Sequence, residues 1–299
     1  MGLYIAIDIG GTAIKHAVMD SDSKIIISGS ELTPKSGTRE IYKTIDFVCK
    51  TYMDDFSIEG LALSVPGALE PASGWMYTSG AVKDFQEVHL KEAFAYLNIP
   101  IEMENDANCV ALAERWKGNA QGIDNFSCFI IGTGIGGAVF INGQLYRGVK
   151  GMAGEYGLMK RYFTTDQTDK NVNFGEFSAM GPLMRRVNSD RTEPIDGQTL
   201  FKLYKAGDTK IKNTVSTFLD SVAVSCANII ACYAPQRILV GGGVSEEEIF
   251  LAEVQKRVRN LDPLLADLSE IKRCHFQNQA GMVGALYHFL ITRNIIKAN

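Results

Sequence analysis

Two glycine-bearing hairpin signals, one in each half of the chain, constrain the fold more than any other feature. The first is "IAIDIGGTAIKHAVMD", Ile5 to Asp20. An apolar run reaches Asp8, Gly10, Gly11 and Thr12 follow, and a second half-apolar run starts at once. The second is "FIIGTGIGGAVFINGQLYRG", from Phe129. It repeats the pattern around Gly132, Thr133, Gly134 and Gly136, and its Asn142-Gly143 pair signals a further two-residue hairpin turn. Either turn alone is explained by a hairpin that needs positive φ. A pair supports a sharper reading, because glycine lets backbone N–H groups converge on an anion and each turn sets a threonine hydroxyl beside them. Two such turns could grip a polyphosphate. Asp8 would repel a phosphate but suits a hydrated Mg2+ that bridges phosphates. Neither turn is a GxxxxGK[ST] loop, and "GTGIGG" runs into a strand instead of opening a helix, so neither phosphate-loop nor dinucleotide fingerprint is present.

The rest of the pattern fills in around these hairpins. Strands are expected at 3–9, at 12–19 and from "KIIIS", giving an antiparallel meander. Ile41, Ile45, Val48 and Tyr52 fall at helical spacing, "IEGLALSVPGAL" reads as a buried strand entering a Pro-Gly loop, and "NDANCVALAERWKG" reads as a helix closed by Gly118. The pattern then begins again, so the chain divides near residue 118. In "ILVGGGVSEEEIF", the strand Ile238 to Val240 enters Gly241, Gly242 and Gly243, where a flat ring could lie on bare backbone. Ser245 with Glu248 reads as a capping box opening a helix. In "IEMENDANCVALAE", Asp106 opens a helix beside Asn105. It is either an ordinary N-cap or a carboxylate base for an attacking hydroxyl.

The chain has 299 residues, enough for two domains, and a net charge of −4, which argues against a nucleic-acid partner. No apolar stretch is read as a membrane span and no export signal is read at the N-terminus, so a cytoplasmic protein is expected. The six cysteines (Cys49, Cys109, Cys128, Cys226, Cys232, Cys274) form no CxxC pair and read as buried free thiols.

As a set, "DIGGTAIK", "SVPGAL", "ENDANCVALAE", "IGTGIGGAVFINGQLYRG", "GMAGEYG" and "VGGGVS" resemble, in order and spacing, the ROK family of sugar kinases and sugar-responsive repressors. The resemblance implies the actin-like ATPase (ribonuclease-H-like) two-domain α/β fold with mixed sheets, in which ATP and sugar meet between the domains. It implies an N-terminal domain of residues 1–118 completed by a C-terminal helix at 285–299, and a second domain of residues 119–284. By the same resemblance Asp8, Gly10, Gly11, Thr12 and Lys15 form the first phosphate hairpin. Gly132, Thr133, Gly134 and Gly136 belong to the second, and Gly241 and Gly242 lie at the adenosine. Asp106 matches the catalytic aspartate, while Asn105, Gly67, Glu155 and Glu176 match sugar ligands. The cofactors implied are ATP and Mg2+, with Asp8 holding the metal through water, and a homodimer is expected.

Two departures bear on the substrate. The family usually has histidine where this chain has Leu158, and a cysteine cluster where it has "RYFTTDQTDKNVNFGEFSAMG". Leucine cannot ligate a metal, so no zinc is expected. With "SGAVKDF" and "NQAGMVGALYHFL", the sequence resembles the β-glucoside kinase branch, which phosphorylates the 6-hydroxyl of a glucosyl unit in sugars such as cellobiose. Glucokinase, fructokinase and N-acetylmannosamine kinase are the alternatives. A non-catalytic sugar-sensing repressor is disfavoured, since its DNA-binding helices would have to precede a hairpin that starts by residue 3. Another actin-like ATPase is disfavoured by the Asn105, Asp106 and Glu155 set, which points to a polyol.

Overall fold

The computed structural model describes residues 2–161 and 173–298. The chain forms two compact units. Unit 1 comprises Met1–Gly122, Arg147–Ala153 and Asn278–Asn299, and unit 2 comprises Ile123–Tyr146 and Gly154–Gln277. The return of Arg147–Ala153 to unit 1 has no counterpart in a division near residue 118.

Unit 1 opens with β1 (Leu3–Ile9), β2 (Ala13–Asp20) and β3 (Ile25–Leu32), an antiparallel meander. Helix α1 (Glu40–Asp55) follows and buries Ile41, Ile45, Val48 and Tyr52. The chain returns as β4 (Ile58–Val65), parallel to β1. A small hairpin, β5 (Leu69–Glu70) and β6 (Trp75–Met76), and a short helix, α2 (Leu90–Ala93), lead to β7 (Ile101–Asn105), parallel to β4. Helix α3 (Asp106–Lys117) leaves directly from the end of β7 and stops at Gly118. The sheet order is β3-β2-β1-β4-β7.

Unit 2 has the same design. Strands β8 (Phe126–Ile131), β9 (Ile135–Ile141) and β10 (Gln144–Tyr146) form a second meander. Asn142 and Gly143 both take positive φ in its turn, as a two-residue hairpin of that composition requires. Helices α4 (Phe174–Ser178), α5 (Met180–Asn188), α6 (Gly197–Lys205) and α7 (Thr209–Tyr233) precede β11 (Arg237–Gly241), parallel to β8. Then come α8 (Phe250–Leu261), α9 (Pro263–Leu268) and β12 (Glu270–Arg273), parallel to β11. The order β10-β9-β8-β11-β12 repeats that of unit 1. Two such ribonuclease-H-like sheets make the actin-like ATPase fold.

Three expectations are corrected. Ser245 and Glu248 do not cap a helix. Residues 243–246 form a 3-10 turn in which the Ser245 hydroxyl donates to the Gly242 carbonyl at 2.8 Å, and α8 starts only at Phe250. Helix α7, at 25 residues, is long and apolar enough by length and composition to cross a membrane. It is instead the central helix of the unit 2 core, where Val215, Phe218, Leu219, Val222 and Cys226 are buried completely. Cys232 is exposed, while the other five cysteines are buried.

The last helix, α10 (Ala280–Thr292), belongs to unit 1 and is buried from Ala280 to Leu290. It packs on α3 so closely that a Cβ at Gly284 would overlap the Cys109 carbonyl. Backbone cannot yield as a flexible side-chain end can, so overpacking here falls at the upper end of its usual range. Gly284→Ala is expected to cost about 3 kcal/mol, read as a lower urea midpoint with an unchanged slope.

Candidate functional site

In unit 1 the register of the parallel strands gathers the chemistry. Asp8 on β1 pairs with Ser64 on β4, and Ser64 pairs with Glu104 on β7. The chain therefore leaves all three strands at one edge, where α/β sheets bind their ligands. Asp8 stands just before the turn at Gly10, Gly11 and Thr12, with Gly10 N–H bonded to the Ala13 carbonyl at 3.0 Å. The Thr33 hydroxyl donates to the Gly10 carbonyl at 2.6 Å and Thr33 N–H to the Thr12 carbonyl at 3.0 Å, so the residue just past β3 holds the turn from outside. Gly11 and Thr12 are exposed. Lys15 lies directly across from Asp8 and donates to the backbone and side-chain oxygens of Asn278, each at 3.3 Å.

Burial raises the pKa of Asp8, against the Ser64 hydroxyl, which donates to Oδ1 at 2.6 Å, and the charge of Lys15. A Cβ at Gly281 would overlap the Asp8 carboxylate, so the first turn of α10 lies directly on it. The positive end of that helix dipole favours the ionised carboxylate.

Two loops follow from the same edge. After β4, Gly67 accepts a hydrogen bond on its carbonyl from Asn105 Nδ2 at 3.0 Å. After β7, Asn105 is the N-cap of α3, with its side-chain oxygen accepting from Asn108 N–H at 3.0 Å. This corrects the N-cap alternative for Asp106. The cap belongs to Asn105, and Asp106 is the first helical residue, its Oδ1 accepting from Ala107 N–H at 2.8 Å and Asn105 Nδ2 at 2.9 Å. Both residues are half-buried. Glu104, fully buried, accepts on Oε1 from Asn105 N–H and Asn108 Nδ2 and pairs on Oε2 with Arg147 at 2.7 Å. Ser64, Glu104, Arg147 and Asn278 lie inside the quoted motifs, yet nothing in the sequence marks them individually. Ser64 and Glu104 sit inside strand runs, and the partners of the other two are remote in the chain.

Unit 2 builds a matching edge. Gly132, Thr133 and Gly134 form the β8–β9 turn, with Gly132 N–H bonded to the Gly134 carbonyl at 2.9 Å. Gly136 lies not in the turn but in β9, opposite Ile130. Gly242 has φ +89°, and a Cβ there would overlap the Ile131 carbonyl. Gly241 and Gly242 therefore lie against the strand end that leads into Gly132. Met180 N–H donates to the Gly132 carbonyl at 2.9 Å, which brings the start of α5 onto the same turn.

Glu155 precedes a short 3-10 turn, Tyr156–Leu158, and is half-buried; burial raises its pKa. The Tyr156 hydroxyl is bonded to Ser127 at 2.6 Å and also to Tyr233, which fixes this turn on β8 and α7. Phe174 N–H donates to the Met159 carbonyl at 3.0 Å, setting α4, which carries Glu176, beside the Glu155 turn. Glu176 pairs with Arg185 at 3.3 Å. Leu158 is half exposed, and most of the stretch expected to lack a zinc site, residues 162–172, lies outside the described residues.

Each unit thus ends its central strands in a glycine-bearing turn, with Asp8 standing just before the one in unit 1. A profile of the ROK family matches residues 4–291. The chain belongs to the ROK family. Among ROK relatives, a β-glucoside kinase of Listeria monocytogenes is 34% identical over 97% of this chain and 98% of its own length. A β-glucoside kinase of Klebsiella pneumoniae is 33% identical over 95% of each. A solved Listeria monocytogenes structure, described as a proposed N-acetylmannosamine kinase, superposes with a TM-score of 0.90 at 32% identity over 98% of this chain and all of that one.

The raised pKa of Asp8 carries a sign. A folded-state value above the unfolded one means stability that is complete below the unfolded pKa and lost as pH rises through the folded pKa. Asp8→Asn, which keeps an acceptor for Ser64, should therefore raise the melting temperature at pH 7. The gain should shrink toward zero as pH falls to about 4, the ordinary carboxylate range. A melting series from pH 4 to 8 on both proteins checks this.

Proposed function

We propose that this chain is an ATP-dependent sugar kinase that phosphorylates the 6-hydroxyl of a glucosyl unit, with a β-glucoside such as cellobiose as its preferred acceptor. The acceptor class rests on the β-glucoside kinases that match nearly the whole chain. The catalytic reading rests on one observation: Asn105 caps α3, so Asp106 is not spent on that task. Its carboxylate stands beside Asn105 at the edge of the sheet, suited to take the proton of an attacking hydroxyl.

In the reaction, the sugar 6-oxygen attacks the γ-phosphorus as its proton passes to Asp106, the bond to the bridging oxygen breaks, and ADP leaves. Asn105, Gly67, Glu155 and Glu176 are assigned to sugar hydroxyls. The turns at Gly10, Gly11 and Thr12 and at Gly132, Thr133 and Gly134 are assigned to phosphate, with Lys15 neutralising charge, Gly136 supporting the second turn from β9, and Gly241 and Gly242 at the adenosine. Mg2+ held through water by Asp8 suits a carboxylate whose burial disfavours its charge, since a nearby cation favours the ionised form. When bound, the ion neutralises phosphate charge. The chain is taken to act in the cytoplasm as a homodimer on soluble sugar.

A second reading, a monosaccharide kinase, is favoured by the close superposition on the proposed N-acetylmannosamine kinase. A coupled ADP-release assay across cellobiose, an aryl β-glucoside, glucose, fructose and N-acetylmannosamine decides between them. The glucoside reading expects kcat/KM for cellobiose at least equal to that for glucose, and rejection of every glycoside overturns it. Asp106→Asn should lower kcat by at least ~100-fold with little change in sugar KM. Near-normal turnover by the folded variant would remove Asp106 from catalysis.

A further inference from the structure

The Arg147–Ala153 segment of unit 1 is tied down on both sides. Arg147 pairs through Nη2 and Nε with Glu104 Oε2 at 2.7 and 2.8 Å, and the other oxygen of that carboxylate accepts from Asn105 N–H. The loop is thus braced on the group that sets the backbone of Asn105, beside Asp106. Further along, Gly151 lies against the backbone of Leu69, two residues past Gly67. Ala153 N–H returns to the Arg147 carbonyl at 3.0 Å, and Met152 N–H to the Val149 carbonyl at 3.1 Å, closing the loop on itself.

What this loop presents is unusual for a connection. Val149 is 82% exposed, and Met152 is also exposed. Lys150 holds φ 55° and ψ 26°, a left-handed conformation that favours glycine or asparagine over a long side chain. Its ammonium lies 5.6 Å from the centroid of the Tyr77 ring and has no carboxylate within ion-pair distance among the described residues. Tyr77 adjoins Thr78, whose hydroxyl accepts from Ala68 N–H at 2.8 Å and whose carbonyl lies against Gly67. Lys150, Tyr77 and Val149 therefore stand on the same scaffold as Gly67 and Asn105.

We propose that this loop recognises the second sugar ring of a β-glucoside, with Lys150 donating hydrogen bonds to its hydroxyls and Val149 offering an apolar contact to its C–H face. The proposal rests on the glucoside reading above. A second pyranose ring needs donors for its hydroxyls and a surface for its apolar face, and an ammonium steadied over an aromatic ring beside an exposed aliphatic group supplies both. The left-handed backbone at position 150 is then a local strain kept because it aims that ammonium. Glucose has no second ring, so it should not sense these side chains.

Lys150→Gly tests this without threatening the fold, because glycine adopts that φ freely. Steady-state kinetics on cellobiose and glucose are compared for wild type, Lys150→Gly and Val149→Ser. For cellobiose, Lys150→Gly should lower kcat/KM by about 10-fold, the scale of one charge-assisted hydrogen bond, mostly through KM. Val149→Ser should lower it by about 3-fold, the scale of a methyl-sized apolar contact. For glucose, both variants should stay within about 2-fold of wild type, the scatter of a distant surface change. If wild type phosphorylates cellobiose but the variants lose both substrates in parallel, or lose neither, this assignment fails while the glucoside reading stands. If wild type phosphorylates glucose and no glucoside, the glucoside reading fails and the assignment with it.

Discussion

The backbone of α10 can lie on β1 and α3 only because positions 281 and 284 carry no side chain. A Cβ at the first would occupy the place of the Asp8 carboxylate, and one at the second would occupy the place of a carbonyl in α3. From that contact the rest of unit 1 follows. The helix covers the face of the sheet that carries Tyr4 and Asp8 on β1, holding Tyr4 against Phe289 and stacking Trp116 on Tyr287. Its first turn also sets the electrostatic surroundings of Asp8. Stability and site chemistry meet at two glycines remote in the chain from the hairpin that carries Asp8.

The polar interior of unit 1 is organised around Glu104. This carboxylate is withdrawn from water and is compensated by a guanidinium, an asparagine amide and a backbone N–H at once. A buried charge is tolerable when its remaining acceptor positions are filled. Filling them commits Asn105 to its cap geometry and Arg147 to its loop. Two residues that are remote in sequence are thereby placed with the accuracy of a packed core. His288 lies nearby with burial depressing its pKa, so it adds no competing charge at neutral pH.

Much of this was legible in the sequence where local patterns govern. The paired hairpins, the Asn142-Gly143 turn, the buried stripe of α1 and the end of α3 at Gly118 all depend on near neighbours. Tertiary contacts defeat the same reasoning elsewhere. Ser245 and Glu248 have the spacing of a capping box, but the Gly242 carbonyl is closer to hand and takes the hydroxyl. Asn105 and Asp106 are both good cap formers, and only the register of β7 decides that the first takes the role. Helix α7 is apolar because it is wrapped by the core of unit 2, a cause that composition alone does not separate from a lipid surroundings. The pairing of Arg147 with Glu104, 43 residues away, leaves no periodic trace.

Unit 1 is assembled from three separate stretches of chain, and the last of them, Asn278–Asn299, follows everything that unit 2 requires. On a ribosome, the first half of unit 1 emerges with the sheet face and the α3 surface that α10 will cover still open. Unit 2 has its full set of strands before α10 is translated. The nascent chain must therefore carry the unfinished unit through most of synthesis, with exposed apolar surface available to chaperones or to other chains. Long-range closure of this kind also slows folding, because the entropy of a loop of more than a hundred residues is spent before α10 finds its groove.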